Sequence, residues 1–468
     1  MNNPGVSVVI LTRNRPREFA TLLQALTLQR HQGFEVVVVG AAATAAEQGA
    51  PAHLANRLTY IQCLPENVSM ARNIGIGHAH GQIIAFIDDD AAPEPDWLDH
   101  LIRPFDDPKV AAVGGFVRGR NGVDFQWRGA LIDRYGAHSE LTSDDFRNPE
   151  LGLEAGEHFV SIVGVNCAFR RSILQDLGGF DENFQYFLDE SDICIRLQRA
   201  GWRTALAPKA EVYHAYAESA ERSRNRAPRD LFQIAASRVY FARTYGEAEH
   251  YEERLDQFQV DQKTRLRKFI QLGRLSRRQA RWIEQRMAEG LIEGEARFTA
   301  SDGAALASIP SPPQTPAIPF VPTGAPRRLR VAIVIITSAR KQLRRAAEIL
   351  AEAGCEVTVF DFDFSAKRLK VGFHNGIWLH HGGIIGRDTI DAPLPSPRRC
   401  IRVRAEMDRI GDHRDFEVFL RPDLEKYRIK GLQPIFLSGT LKKYVAEPFR
   451  LGAGQELATL LSTNPEFA

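Results

Sequence analysis

The sequence predicts an α/β protein built on a doubly wound, mostly parallel sheet, with a second α/β unit behind it. Three observations carry this reading. Apolar runs alternate with amphipathic stretches over the first 120 positions, the signature of strands and helices in turn. One apolar run, in "QIIAFIDDDAAPEPDWL" (82–98), ends in three aspartates, and ligands bind doubly wound sheets beyond the carboxyl ends of their strands. A stretch with seven prolines (309–326) then separates the front of the chain from a fresh strand–helix–strand pattern that starts at 330.

The elements follow in order. "VSVVIL" (6–11) reads as a buried strand. Residues 16–30 read as an amphipathic helix, with Pro16 at its start and Phe19, Leu22, Leu23 and Leu26 at helical spacing. "FEVVVVG" (34–40) is a second strand. "VSMARNIGIGHAH" (68–80) is a helix weakened by Gly75 and Gly77, at about 1 kcal/mol each. "QIIAFID" is a strand, "PDWLDHLIRPF" a helix and "VAAVGGFV" (110–117) a strand. Residues 120–160 are polar and irregular, which suits a mobile loop over a site. "VGVNCAFRRSILQDLGGFDENF" (163–184) reads as strand, helix and Gly-Gly turn. "DESDICIRLQRAGW" (189–202) is a helix, and "RTALAPKAEVYHAY" (203–216) is extended.

From 228 to 300 the pattern is helical and charged, and residues 263–286 carry nine Lys or Arg against one Glu. A solvated helix whose apolar side packs on the preceding domain is the plainer reading of this segment. A basic amphipathic face on an anionic membrane is the sharper one. Beyond the proline-rich linker, "RVAIVIIT" (330–337) is a strand, 338–354 a helix with Ser338 as N-cap, and "CEVTVFDF" a strand. The predicted domains are 1–225, a helical basic extension 226–300, a linker 301–327 and a Rossmann-like α/β domain 328–468. The last has no motif that assigns a role. His380 and His381 are adjacent on a strand and point to opposite faces, which argues against chelation of one metal.

Bulk properties narrow the class. With 44% hydrophobic and 25% charged residues over 468 positions, the chain is ordinarily globular and long enough for two or three domains. A formal net charge of +2 gives no reason to invoke nucleic acid. The five cysteines are scattered with no Cys-x-x-Cys pair, which fits a reducing compartment. The N-terminal apolar run is too short for a signal peptide, and no run approaches the roughly 18 to 20 residues of a membrane span. The expected location is the cytoplasm, including the inner face of the membrane.

Three adjacent carboxylates repel one another unless something positive lies among them. A solvated turn is one explanation, helped by Pro93 and Pro95. A divalent cation is the other. Alternation along extended backbone lets Asp88 and Asp90 point one way and Asp89 elsewhere, and hard oxygen ligands suit Mg²⁺ or Mn²⁺.

"SVVILTRNRP", "ENVSMARNIGI", "IIAFIDDDAAPEPDWL", "VGVNCAFRRSILQDLGGFDENF" and "DESDICIRLQRAGW" occur in the order found in family 2 glycosyltransferases of the GT-A fold. The resemblance covers about residues 5–220. It implies a GT-A type sheet, a nucleotide-diphosphate sugar donor, a Mn²⁺ or Mg²⁺ cofactor and inverting transfer to an acceptor hydroxyl of a glycan or lipid-linked precursor. On this resemblance, Asp90 is the principal metal ligand, Asp88 approaches metal or ribose, and Asp89 shares either task. Glu190 takes the place of the catalytic base, with Asp189 beside it in reversed order relative to the family's Glu-Asp pair. Thr12, Arg13 and Asn14 lie where the nucleotide base binds, Arg72 contacts the nucleotide, Asn166 lines a donor or acceptor pocket, and His214 reaches metal or diphosphate.

One departure stands out. Relatives end the second strand in aspartates that read uracil, whereas Gly40 and Ala41 stand here, which puts uridine recognition in doubt. "QARW" (279–282) is one residue short of the Gln-x-x-Arg-Trp of processive synthases, so single addition is expected. The rival reading is a non-catalytic, GT-A-like binding module whose C-terminal domain mediates interactions.

Overall fold

The computed structural model describes residues 5–13, 15–40, 54–62, 67–141, 158–303, 305–310, 330–335, 340–361, 369–382 and 418–420. Asn14, Ala41, the 311–327 part of the linker and Ser338 lie outside these residues.

The first unit opens with β1 (Val6–Thr12), α1 (Pro16–Leu26), β2 (Phe34–Gly40), β3 (Leu58–Gln62) and α2 (Val68–His78). Next come β4 (Ile83–Asp88), β5 (Ala91–Pro93), α3 (Trp97–Ile102), β6 (Val110–Arg118), β7 (Phe125–Trp127), β8 (Ala130–Asp133) and β9 (His138–Glu140). It continues with β10 (His158–Ser161), β11 (Asn166–Arg170), α4 (Arg171–Asp176), α5 (Asp189–Arg199) and β12 (Arg203–His214). The main sheet has the order β3-β2-β1-β4-β11-β6-β12-β5, with β7 also on β6. β3, β2, β1 and β4 are mutually parallel, and β12 is parallel to β6. β11 runs against both β4 and β6, and β5 and β7 are also antiparallel to their partners. The sheet is therefore mostly parallel, with reversed strands inserted.

Burial explains why these runs are strands. Val6, Val8 and Ile10 pack with α1 and Trp97 on one face. Val9, Ile84 and Phe86 pack with α2, Phe169 and Phe180 on the other. Both faces are covered, so the strands read as continuous apolar runs rather than alternating ones. The predicted mobile loop at 120–160 is a different matter. β7 extends the main sheet, and β10-β8-β9 form a small antiparallel sheet. In β8, Ala130 and Ile132 are buried and Leu131 and Asp133 only partly so. Such three- and four-residue strands are too short to rise above their polar surroundings in the sequence.

The basic segment falls within a helical hairpin. α6 (Phe232–Tyr245), α7 (Ala248–Gln271) and α8 (Arg277–Ser301) pack Phe258, Leu266, Leu275, Ile283 and Met287 with Leu231 and Ala235. The plainer reading of that segment therefore accounts for most of its apolar residues. A Cβ at Gly290 or Gly294 would run into the carbonyls of Phe232 and Ala236, so these glycines let α8 lie directly on α6. The "QARW" motif has a local role: Gln279 closes a capping box with Ser276 at the start of α8. No helix among the described residues is long and apolar enough to cross a membrane.

The second unit contains β13 (Arg330–Ile335), α9 (Arg340–Glu352), β14 (Glu356–Asp361), β15 (Leu369–His374), β16 (Ile377–Gly382) and β17 (Val418–Leu420), in the order β15-β16-β14-β13-β17. β13, β14, β16 and β17 are parallel, as a Rossmann-like unit requires. Asn375 and Gly376, both at positive φ, turn the β15–β16 hairpin. This hairpin docks on the first unit: Val371, Phe373 and Trp378 pack against Ala25, Leu28, Ala92 and Tyr213. His380 is buried against the Phe360 ring, whereas His381 faces Asp361.

Candidate active site

The carboxyl ends of β1 and β4 lie side by side, with Leu11 paired to Asp88. β12 reaches the same place by a detour. Residues 208–210 drop out of register against the consecutive Gly115 and Phe116 of β6. Pro208 lies in this bulge and has no N–H to give the ladder. The strand then re-pairs and delivers His214 opposite Ala91. The result is a cluster in which one ligand atom each from Asp88, Asp90 and His214 lies within 4.8 Å of the others. His214 Nε2 is 3.0 Å from Asp90 Oδ1 and 3.8 Å from Asp88 Oδ2.

Each group is held by a neighbour. His214 Nδ1 lies 2.9 Å from Gln126 Oε1 on β7. An amide oxygen only accepts, so Nδ1 carries the proton and Nε2 faces the carboxylates. The His214 ring stacks on Tyr216 with centroids 4.6 Å apart. Asp90 Oδ2 accepts from the Ala217 N–H at 2.6 Å. Burial alone would raise Asp90, but His214, the Ala217 N–H and Arg15 outweigh it and hold the carboxyl well below the usual range. Asp88 goes the other way. Desolvation in the cleft and the Asp90 charge raise it, against the pull of His214, although 39% of its side-chain surface stays open.

Asp90 Oδ1 and His214 Nε2 are both buried and, among the described residues, have no hydrogen-bond partner beyond each other's company. Two carboxylates and one imidazole nitrogen form a donor set that Mn²⁺ or Mg²⁺ fits, the nitrogen favouring Mn²⁺.

Asp89 does not join this cluster. It is 3% exposed, and its oxygens accept from Thr12 Oγ1 and Arg15 Nη1, each at 2.9 Å. Burial outweighs the guanidinium and pushes its carboxyl up to about 6. Within the fold Asp89 has a positioning role: it ties the end of β4 to the end of β1. Thr12 is occupied in the same tie, and Arg13 is exposed beside it.

A second acidic group faces the cleft at the start of α5. Phe187 and Leu188 precede it with φ of 76° and 68°, a left-handed pair that costs non-glycine residues on the order of 1–3 kcal/mol each. This turn presents Asp189 and Glu190 in the first helical turn, where the helix dipole favours negative charge. Arg72 reaches both. It contacts Asp189 directly and donates from Nη2 to Glu190 Oε1 at 2.8 Å. The Gly164 N–H also donates to Oε1, at 2.8 Å. Among the described residues no hydrogen bond reaches Glu190 Oε2, whereas Asp189 is 2% exposed. One cation between two carboxylates leaves a net negative charge, and Glu190 holds the open oxygen.

Arg72 and Asn166 are both engaged within the fold. Arg72 is 5% exposed, packs its guanidinium over Phe180 at 5.0 Å and lies between the acidic pair and Asp88 in its electrostatic reach. Asn166 is fully buried. Its Oδ1 accepts from Trp97 Nε1 at 2.7 Å, and its Nδ2 donates to the carbonyls of Phe116 and Ala210 at 2.9 and 2.8 Å. It pins the β12 bulge that delivers His214, and no polar atom is left for a ligand. Gly40 also has a local cause: a Cβ there would overlap the Thr12 carbonyl, so β1 and β2 close up at the place where an aspartate was expected. Arg15, Gln126 and the Ala217 N–H were not singled out in the sequence. Arg15 stands in the quoted "TRNRP", but nothing local marks a contact across 74 residues.

Residues 4–232 match the family model described as "Glycosyltransferase like family 2". The chain is 27% identical over 237 residues to the O-antigen biosynthesis protein RfbC of Myxococcus xanthus, covering 48% of this chain and 18% of that one. It is 27% identical over 244 residues to the N-acetylglucosaminyl-diphospho-decaprenol L-rhamnosyltransferase of Mycobacterium tuberculosis, covering 46% and 77%. The chain spans under a third of the length of the first curated relatives it matches. Among solved structures, the mannosyltransferase PcManGT from Pyrobaculum calidifontis, in complex with GDP-Man and Mn²⁺, aligns at 20% identity with a TM-score of 0.37, covering 64% and 76%. With these motifs, this sheet and the family-model match together, residues 4–232 belong to the glycosyltransferase-like family 2.

Proposed function

We propose that the chain is a metal-dependent, inverting glycosyltransferase that moves one sugar from a nucleotide-diphosphate donor to an acceptor hydroxyl. The convergence of Asp88, Asp90 and His214 at the carboxyl ends of β4 and β12 carries the reading. A divalent cation bound there supplies positive charge against the diphosphate as it leaves. Arg15, 22% exposed at its side chain and beside Asp89 and Asp90, adds fixed positive charge to the same wall.

The chain's own residues do the rest. Glu190 Oε2 takes the proton of the acceptor hydroxyl as its oxygen attacks the anomeric carbon. The bond from that carbon to the phosphate oxygen breaks, and the nucleoside diphosphate leaves with the electron pair. Arg72 and the Gly164 N–H anchor Oε1, so the free oxygen keeps its aim. Attack from the face opposite the leaving group inverts the centre. One relative is named for transfer to a diphospho-decaprenol-linked sugar, which supports a glycan or lipid-linked acceptor here.

The test is thermal stabilisation by UDP, GDP, dTDP and CDP, each with and without Mn²⁺. At a ligand concentration of about 100 times Kd the native state gains roughly 2.7 kcal/mol. A shift with one nucleotide that needs Mn²⁺ supports the reading. Stabilisation by none of them, with Mn²⁺ present, refutes it.

A further inference from the structure

A cavity of about 800 Å³ opens beside the candidate active site, between the 215–229 loop and α8. We propose that it binds a phosphorylated sugar unit of the acceptor. The proposal rests on the transferase reading and names the acceptor class for it.

Its charged lining consists of Arg120, Arg224, Arg229 and Arg274 against the single carboxylate of Glu218. Three of the arginines have structural work, Arg274 among them, whose Nη1 donates to the Asn225 carbonyl at 3.3 Å. Arg120 donates to the carbonyls of Ala215, Tyr216 and Arg224 and so shapes the loop. Arg229 pairs with Glu218 at 2.8 Å. Arg224 and Arg274 have no carboxylate partner among the described residues. The four guanidinium groups against one carboxylate leave three positive charges in excess, and a phosphate is the group that planar guanidinium forks match best.

The second observation is Trp282. It lines the same cavity and is 50% exposed, although its neighbour Ile283 is 1% exposed. An aromatic face left open beside cations suits a ring with one apolar face and an anionic substituent. A volume near 800 Å³ lies in the range of small-molecule pockets, about 300 to 1,000 Å³, whereas a planar membrane surface does not enter a concave site.

Position supplies the third argument. Glu218 follows Ala217, whose N–H holds Asp90, and the Glu218 carbonyl accepts from Arg15 Nη2 at 2.9 Å. The wall of the cavity thus begins one residue from the backbone N–H that holds Asp90. An acceptor seated there approaches the site from the side of the loop.

Calorimetric titration of the full chain in EDTA tests this. The probes are glucose 1-phosphate, glucose, inorganic phosphate and anionic phosphatidylglycerol vesicles, at low salt. Glucose 1-phosphate should bind at least tenfold more tightly than glucose or phosphate. Arg224→Ala with Arg274→Ala should weaken it at least tenfold and flatten its salt dependence. Trp282→Ala should reduce it to the level of inorganic phosphate. Melting curves establish that each variant is folded. Unchanged binding in the double-arginine variant overturns the proposal, as does equal affinity for glucose and its phosphate. Vesicle binding lost in that variant without sugar-phosphate binding assigns the surface to a membrane instead and also overturns it. Any of these failures leaves the transferase reading standing, since that reading is tested by nucleotide and Mn²⁺.

Discussion

Replacing Arg72 by methionine removes the one cation that, among the described residues, pairs with both Asp189 and Glu190, while keeping an apolar stem of similar reach. Both carboxylates then face each other, and Asp189, 2% exposed, has little access to water. Removing one partner of a buried ion pair costs about 3–5 kcal/mol, because the other charge stays buried without compensation. The guanidinium also lies 5.0 Å from the Phe180 ring and 5.8 Å from Phe86, and losing these contacts adds about 1 kcal/mol. The total is about 4–6 kcal/mol. A folding unit of this size loses about 2–4 °C per kcal/mol, so the melting temperature should fall by roughly 8–24 °C. Urea unfolding of wild type, Arg72→Met, Asp189→Asn and the double variant forms a cycle. The double variant should recover at least 2 kcal/mol of the loss, since the second change removes the charge that the first left alone. A loss under about 1 kcal/mol for Arg72→Met, or strict additivity across the cycle, refutes the reasoning.

Three further outcomes follow from the same geometry. Tyr245 on α6 donates to Asp192 Oδ1 on α5, so Tyr245→Phe should cost about 1–3 kcal/mol by urea unfolding; a cost near zero removes α6 as a brace for the base-bearing helix. Burial raises the Asp192 carboxyl against the opposing pull of Arg196 and Tyr245. The unfolded chain therefore releases that proton first, and this group makes stability fall as pH rises from the ordinary value of 3.8 through the folded one. Asp192→Asn should flatten that slope in urea midpoints taken from pH 4 to 7, and an unchanged slope contradicts the assignment. Burial pushes the Cys194 thiol up to about 12 and Cys167 well above its ordinary value. Iodoacetamide at pH 8 should leave both unlabelled in peptide maps of the native protein and label both in denaturant.

The long buried strands were legible because each packs on both faces, and a continuous run such as Val36–Val39 has few alternatives. Asp88, Asp90 and Glu190 were legible as candidates because each stands at the end or start of a readable element. What the sequence hid is long-range. Gln126 meets His214 across 88 residues, and Arg15 meets Asp89 across 74. The β12 bulge and the Asn166 that pins it depend on Gly115, where any Cβ would overlap the Asn166 amide. The short strands β7 to β10 gain their regularity from partners, not from local pattern. The docking of Trp378 on Tyr213, with ring centroids 4.8 Å apart, joins residues 165 positions apart and could not be read from either segment alone.

The central claim is that Asp88, Asp90 and His214 hold a divalent cation. Titration of Mn²⁺ followed by electron paramagnetic resonance, in the presence of the stabilising nucleotide, tests it most directly. The account predicts one bound Mn²⁺ per chain, at least 100-fold weaker binding in Asp90→Asn and 10- to 100-fold weaker binding in Gln126→Ala, which frees the His214 ring. Mn²⁺ binding that is unchanged in Asp90→Asn contradicts the claim.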